Sequence, residues 1–223
     1  LNKEKLNANF FEGYILLVID SLKKNKIDDA NEILLNMPEF LKQDRFNFII
    51  SKSLEQYIFT FREKKILEMD ERFGNLSLIN ETFQRCYLGD RKTSAFFSQL
   101  INSNQADYSR YIYFYMSHLI EKNEFKEAQK LSDSFDYINA TLLLSQGKSW
   151  IKKNQYRKFK KIFSCENSND ILGEFFFLVS NLYSSQEKFT KSNFFLNLSN
   201  YLNPKFKFNL SLVAENYYLN REY

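Results

Sequence analysis

Chemistry in this 223-residue chain would have to come from a single histidine, two cysteines, scattered carboxylates and one dense run of cations. His118 has the side chain for a general base or a metal ligand. It sits mid-helix between Ser117 and Leu119, however, and no spacing pairs it with a nucleophile and a carboxylate. A structural or surface role is expected. Cys86 and Cys165 are far apart, which suggests neither a disulfide framework nor, with one histidine in the chain, a zinc cluster. Two ordinary thiols are expected. Glu121, Glu124 and Glu127 lie on or near a turn, where solvated charge is the ordinary arrangement. The 5 glycines include no phosphate-cradling loop. No catalytic set emerges, so the chain is read as a non-enzyme that uses no cofactor and no metal.

The cations cluster in "KKNQYRKFKK", Lys152 to Lys161, around Tyr156 and Phe159. Basic residues mixed with aromatics can hold phosphates and stack bases. A helix ending at Lys152 and Lys153 would explain that pair, because positive charge is favoured at a helix C-terminus. Helix starts disfavour cations, so Arg157 and Lys158, with Lys160 and Lys161 beyond them, form a candidate basic patch. A solvated outer face is the preferred reading of it.

The elements that would position these residues can be read from composition. Hydrophobic residues are 44% and charged residues 26%, ordinary for a folded chain. Only 5 Gly and 2 Pro occur, too few for the turns of a sandwich or barrel, so an all-α chain is expected. Basic and acidic residues nearly cancel, 31 against 27, which argues against a nucleic acid as the favoured partner. The aromatic content of 17% is assigned to AT-rich coding rather than to function. "YILLVID" is far short of the ~20 apolar residues of a spanning helix, so no membrane insertion is expected. Because the chain begins at Leu1, an upstream signal stays open, as does localisation, with the cytoplasm favoured.

Four segments share an apolar-periodic helix, a short polar turn and a second amphipathic helix: Leu16 to Leu34, Tyr113 to Leu131, Leu143 to Phe163, and Phe177 to Leu196. Aligning the turns puts Asn25, Asn123, Asn154 and Glu187 in one column, and "LGDRKTSAFF" adds Gly89. Five positions on lie Ala30, Ser94, Ala128, Phe159 and Ser192. That slot recurs after 34 residues from Ser94, 31 from Ala128 and 33 from Phe159. Pro204 comes next in "NYLNP", twelve positions after Ser192.

A helix-turn-helix unit recurring near 34 residues resembles the tetratricopeptide repeat family. In "YLNP" and composition the chain is similar to degenerate bacterial members of no assigned activity. Gly147 alone matches the family's first-helix glycine, with Val18, Met116 and Ser180 at the corresponding positions. The resemblance implies a right-handed superhelical α-solenoid of antiparallel helical hairpins, one domain over residues 1–223. Residues 44–75 read as a degenerate helix pair, Asp44 to about Phe61 and then "REKKILEMDERF". A last unit would begin near Lys207, with Val213, Ala214 and Tyr217 at its core positions and "NREY" at its turn. An array truncated at Tyr223 is therefore expected.

The resemblance also implies a ligand-facing groove on the first helices. It falls on Arg110, Tyr113, Ser117, Thr141, Lys148, Ile151, Glu174, Phe177 and Asn181. Of these, Arg110, Tyr113, Ser117, Lys148, Phe177 and Asn181 are the candidate groove residues. Phe177 stands where some members place a carboxylate-clamping lysine, so that clamp is not reproduced. The expected function is a non-catalytic scaffold that binds a protein or peptide segment on its concave face. A helical accessory region of a larger enzyme is the alternative, and a nucleic-acid-binding repeat the less favoured one. Oligomeric state is left open.

Overall fold

A computed structural model describes residues 10–68, 73–102, 109–135 and 141–219. The regular elements among them are helical, and none is a strand. They run α1 Phe11–Lys23, α2 Ile27–Leu35, a 3-10 turn Glu39–Lys42, α3 Arg45–Glu63 and α4 Asn75–Leu88. Next come α5 Thr93–Ile101, α6 Ser109–Glu121, α7 Phe125–Asp133, α8 Leu142–Lys152 and α9 Arg157–Ile162. The last are α10 Ser168–Ser184, α11 Phe189–Leu202, a 3-10 turn Lys207–Asn209 and α12 Leu210–Leu219. Two compact units divide the chain, Leu1–Gln84 and Arg85–Tyr223.

The aligned turn column has one backbone conformation. Asn25, Gly89, Asn123, Asn154 and Glu187 have φ of 58°, 63°, 61°, 53° and 58°, all left-handed. In each turn the next amide reaches the carbonyl five residues back: Lys26 to Ser21, Asp90 to Arg85, Glu124 to Leu119, Gln155 to Trp150 and Lys188 to Tyr183. The left-handed residue itself donates three residues back, as Asn123 does to Ile120. Both bonds satisfy carbonyls that a helix end leaves open, and the left-handed residue turns the chain into the next helix. Asparagine and glycine tolerate that φ; glutamate does so at a cost.

The slot five residues on is buried as expected at Ala30, Ala128, Phe159 and Ser192. After Gly89 the register differs, and Thr93 is the buried residue while Ser94 is half-exposed. Asp90 bonds the start of α5. Its carboxylate accepts from the Lys92 amide at 2.8 Å and its carbonyl accepts from Thr93 Oγ1 at 2.7 Å.

Two further expectations change. Among the described residues of 44–75, where the sequence suggests a helix pair, α3 is the one helix before α4 begins at Asn75. Asp44 caps α3 by accepting from the Phe46 and Asn47 amides, and left-handed Lys64 ends it. Beyond it, 65–68 are not helical, and 69–72 lie outside the described residues. Within this unit α3 holds α4 through polar contacts, Tyr57 Oη to Asn80 Oδ1 at 3.0 Å and Thr60 Oγ1 to Gln84 Oε1 at 2.7 Å. Near the C-terminus, Pro204 does lie just past the end of α11, as a residue that cannot continue a helix should. In α12 the buried residues are Leu212 and Asn216, however, not Val213, Ala214 and Tyr217. Asn216 bonds Ser192 Oγ and Asn193 Oδ1, both at 2.8 Å, and this polar anchor sets the rotation of α12. The turn expected at "NREY" lies outside the described residues.

In the second unit α6 is most enclosed from Met116 to Ile120. From Arg110 to Glu121 no residue is fully exposed. It contacts α5, α7, α8 and α9. Tyr113 stacks on Phe159 at 5.2 Å, and Phe114 meets Phe163 at 4.5 Å. Gly147 lets α8 come close, since a Cβ there would stand 3.1 Å from both Met116 Cε and Tyr113 Cδ2.

Glu187→Gly relieves the left-handed strain at the turn before α11. It should raise stability by about 1 kcal/mol. Denaturant unfolding of the purified chain measures the gain.

Candidate functional site

Arg110, in the first turn of α6, is the most connected of the groove residues. Its Nε and Nη2 donate to the two carboxylate oxygens of Glu174 at 2.7 and 2.6 Å, and Nη2 also donates to Asn209 Oδ1 at 2.6 Å. Its guanidinium lies 3.9 Å from the Phe177 ring centroid. Asn209 passes the network to Ser199 Oγ at 2.9 Å, and Ser199 Oγ donates to the Gly173 carbonyl at 2.6 Å. Glu174 is buried in α10. Burial pushes its carboxyl pKa up, against the downward pull of Arg110. The fork of two parallel bonds is what makes a buried carboxylate tolerable here.

Beside this pair opens a cleft of about 560 Å³. Leu142, Phe177 and Phe208 supply apolar lining, and Thr141, Asn181 and Lys207 supply polar groups around Arg110. Three candidate groove residues, Arg110, Phe177 and Asn181, therefore meet in one place. The other three do not. Tyr113 and Ser117 are core residues with no solvent exposure, packed against Phe159 and the Phe163 carbonyl. Burial also pushes the Tyr113 phenol pKa up. Lys148 donates to the Phe135 carbonyl at 2.8 Å, away from the cleft, and ties α8 to the end of the α7 hairpin. Lys207 and Phe208 escaped the sequence reading, since they come after Pro204 in what looked like a helix start.

The cysteines correct a second expectation. Cys86 at the end of α4 and Cys165 in the α9–α10 turn are joined as a disulfide, with Cα atoms 5.4 Å apart. His118 of α6 brings Nδ1 to 3.4 Å from Cys86 Sγ. All three residues are buried. Sequence spacing hid this cluster because 79 residues separate the cysteines. Only the folded chain brings them together, with Cys86 at the end of α4 and Cys165 in the α9–α10 turn meeting at His118 of α6. Burial, with the Lys122 charge nearby, lowers the His118 pKa from 6.5 to about 4.

The basic residues of the run lie at the surface. Arg157, Lys158, Lys160 and Lys161 are exposed, and none makes a salt bridge among the described residues. Tyr156 stacks on Phe125 at 4.4 Å, and these rings border an open depression with Arg157, Lys158 and Lys161. Lys160 stands apart from it, near Glu121. No helix among the described residues is long and apolar enough to cross a membrane.

Residues 91–193, under half of the chain, match the family model of the APAF-1 helical domain, which is all-helical. No curated protein and no solved structure matches.

Arg110→Ala leaves Glu174 buried without its counter-charge and should cost about 3–5 kcal/mol of stability. An Arg110→Met/Glu174→Leu double variant should recover most of that loss in urea unfolding. The histidine gives a pH signature of definite sign. The unfolded chain takes up the His118 proton near 6.5, whereas the folded chain does so only at about 4. The unfolded state thus binds more protons in that window, and stability falls with the pH, by up to about 3 kcal/mol. Glu121, whose pKa is raised chiefly by burial, acts with the opposite sign on the same limb. The difference between wild type and His118→Gln isolates the histidine and should flatten the acid limb of stability against pH.

Proposed function

We propose that this chain is a non-catalytic helical scaffold, a tetratricopeptide-like array of stacked hairpins that holds an extended protein or peptide segment. The cleft beside Arg110 carries the reading. Family register assigned Arg110, Thr141, Phe177 and Asn181 to ligand-facing positions from sequence, and the same four residues line that cleft. Solenoid stacking is supported by the repeated turn, its left-handed residue and the contacts of α6 with α5 and α8.

Cleft chemistry narrows the segment. Glu174 already neutralises Arg110, so Lys207 is the cation left for an acidic group. Leu142, 75% exposed, and Phe177 offer apolar contact to a side chain, and the Asn181 amide can bond a peptide backbone. An extended segment with an apolar side chain next to an acidic one fits these groups. The likeness to the APAF-1 helical domain supports a place within a larger protein, where such a module would position a partner rather than perform the chemistry.

A random peptide library displayed on phage tests the reading. Selected sequences should pair an apolar with an acidic residue. Asn181→Arg and Leu142→Asp, both at exposed positions, should each weaken their binding at least about tenfold. Unchanged binding to both folded variants would sink the cleft assignment. A single-stranded RNA oligomer should show no binding that depends on Arg157, Lys158, Lys160 and Lys161. Loss of RNA binding on their replacement by Ser would favour the nucleic-acid reading instead.

A further inference from the structure

We propose that Cys86, Cys165 and His118 form a thiol-gated zinc site, closed as a disulfide when oxidised and open to one Zn²⁺ ion when reduced. The inference is independent of the peptide cleft. The potential ligand atoms of the three residues lie within 4.8 Å of one another and come from α4, α6 and the α9–α10 turn. Two sulfurs and an imidazole nitrogen are the donor set that zinc prefers.

The distances suit that ion. With Zn–S about 2.3 Å and Zn–N about 2.0–2.1 Å, the sulfur-to-nitrogen edge of a tetrahedral site is roughly 3.5 Å. Cys86 Sγ and His118 Nδ1 stand 3.4 Å apart already. The sulfurs need to separate to roughly 3.8 Å, the corresponding edge between two thiolates. Cys165 lies in a turn rather than in a helix, so rotation of its side chain can open that gap. A disulfide alone gives the imidazole little to do, since a disulfide sulfur is a poor hydrogen-bond partner. An aliphatic side chain would pack there without burying a polar ring.

Glu121 is available for the fourth position. It lies three residues after His118 on α6, and its carboxyl group interacts with Ser164 and the Cys165 backbone. Its Oε1 is buried without a hydrogen-bond partner. It stands outside the tight three-residue set, and can ligate directly or hold a metal-bound water.

The gating step balances. A cellular dithiol supplies two electrons and two protons, the Cys86–Cys165 bond breaks to two thiols, and the dithiol leaves as its own disulfide. Zinc then binds both sulfurs as thiolates, and their two protons pass to solvent. Oxidation of the pair by a disulfide partner returns two electrons to that partner and releases the ion.

Cobalt is the probe, as a spectroscopic substitute for zinc. The full chain is reduced with a phosphine, desalted without air and titrated with Co²⁺, then with Zn²⁺ in competition. The reduced wild type should bind one equivalent, with a sulfur-to-cobalt charge-transfer band and the intense visible bands of tetrahedral cobalt. The oxidised chain should show neither. His118→Ala should weaken zinc by more than the roughly 10–100-fold that loss of a residue outside the ligand set causes. Should that variant not fold, X-ray absorption of zinc-loaded wild type decides, with two sulfur scatterers and nitrogen or oxygen for the rest. Equal binding by oxidised and reduced chains overturns the proposal. So does a reduced wild type that gives no charge-transfer band, or one that unfolds and is not restored by the metal.

Discussion

A helix buried along most of its length imposes strict terms on its surroundings, and α6 is such a helix. Most polar groups it carries find a partner inside the protein, because an unpaired buried group costs a large share of a domain's stability, and Tyr113 Oη and Glu121 Oε1 are exceptions. Arg110 finds Glu174 and Asn209, Ser117 Oγ reaches the Phe163 carbonyl at 3.5 Å, and His118 faces Cys86. Each apolar group must be met by a complementary surface. Gly147 gives way to Tyr113 and Met116, while Phe163 and Phe206 close over Phe114. Much of the second unit can be understood as the covering of this one helix.

A second constraint repeats along the chain. Each hairpin must reverse direction while satisfying the carbonyls at the end of its first helix. Five turns meet it in the same way, with a left-handed residue flanked by two amide-to-carbonyl bonds. The seam of the second helix is less uniform. Small residues bring that helix close at Ala30, Ala128 and Ser192, whereas Phe159 fills its slot with a ring that reaches α6. The chain keeps the turn and changes the seam.

The two candidate loci differ in kind. The Arg110 cleft is open and mixed in character, and the Arg110 charge is paired with Glu174. The Cys86, Cys165 and His118 cluster is closed and admits only an ion or a bond.

Sequence alone determined the helical class, the turn column and most of the buried small-residue slots. Those features rest on local physics: a residue that tolerates positive φ, a helix end that needs capping, and a period of apolar side chains. The all-round apolar run "RYIYFYMSHLIE" also carried a legible warning that α6 would be buried, which would have removed Tyr113 and Ser117 from any groove. Tertiary structure decided the rest. Glu174 is 64 residues from Arg110, and Cys165 is 79 from Cys86. No local propensity encodes such pairings, because they exist only once several helices have closed around α6 and excluded water from the space between them.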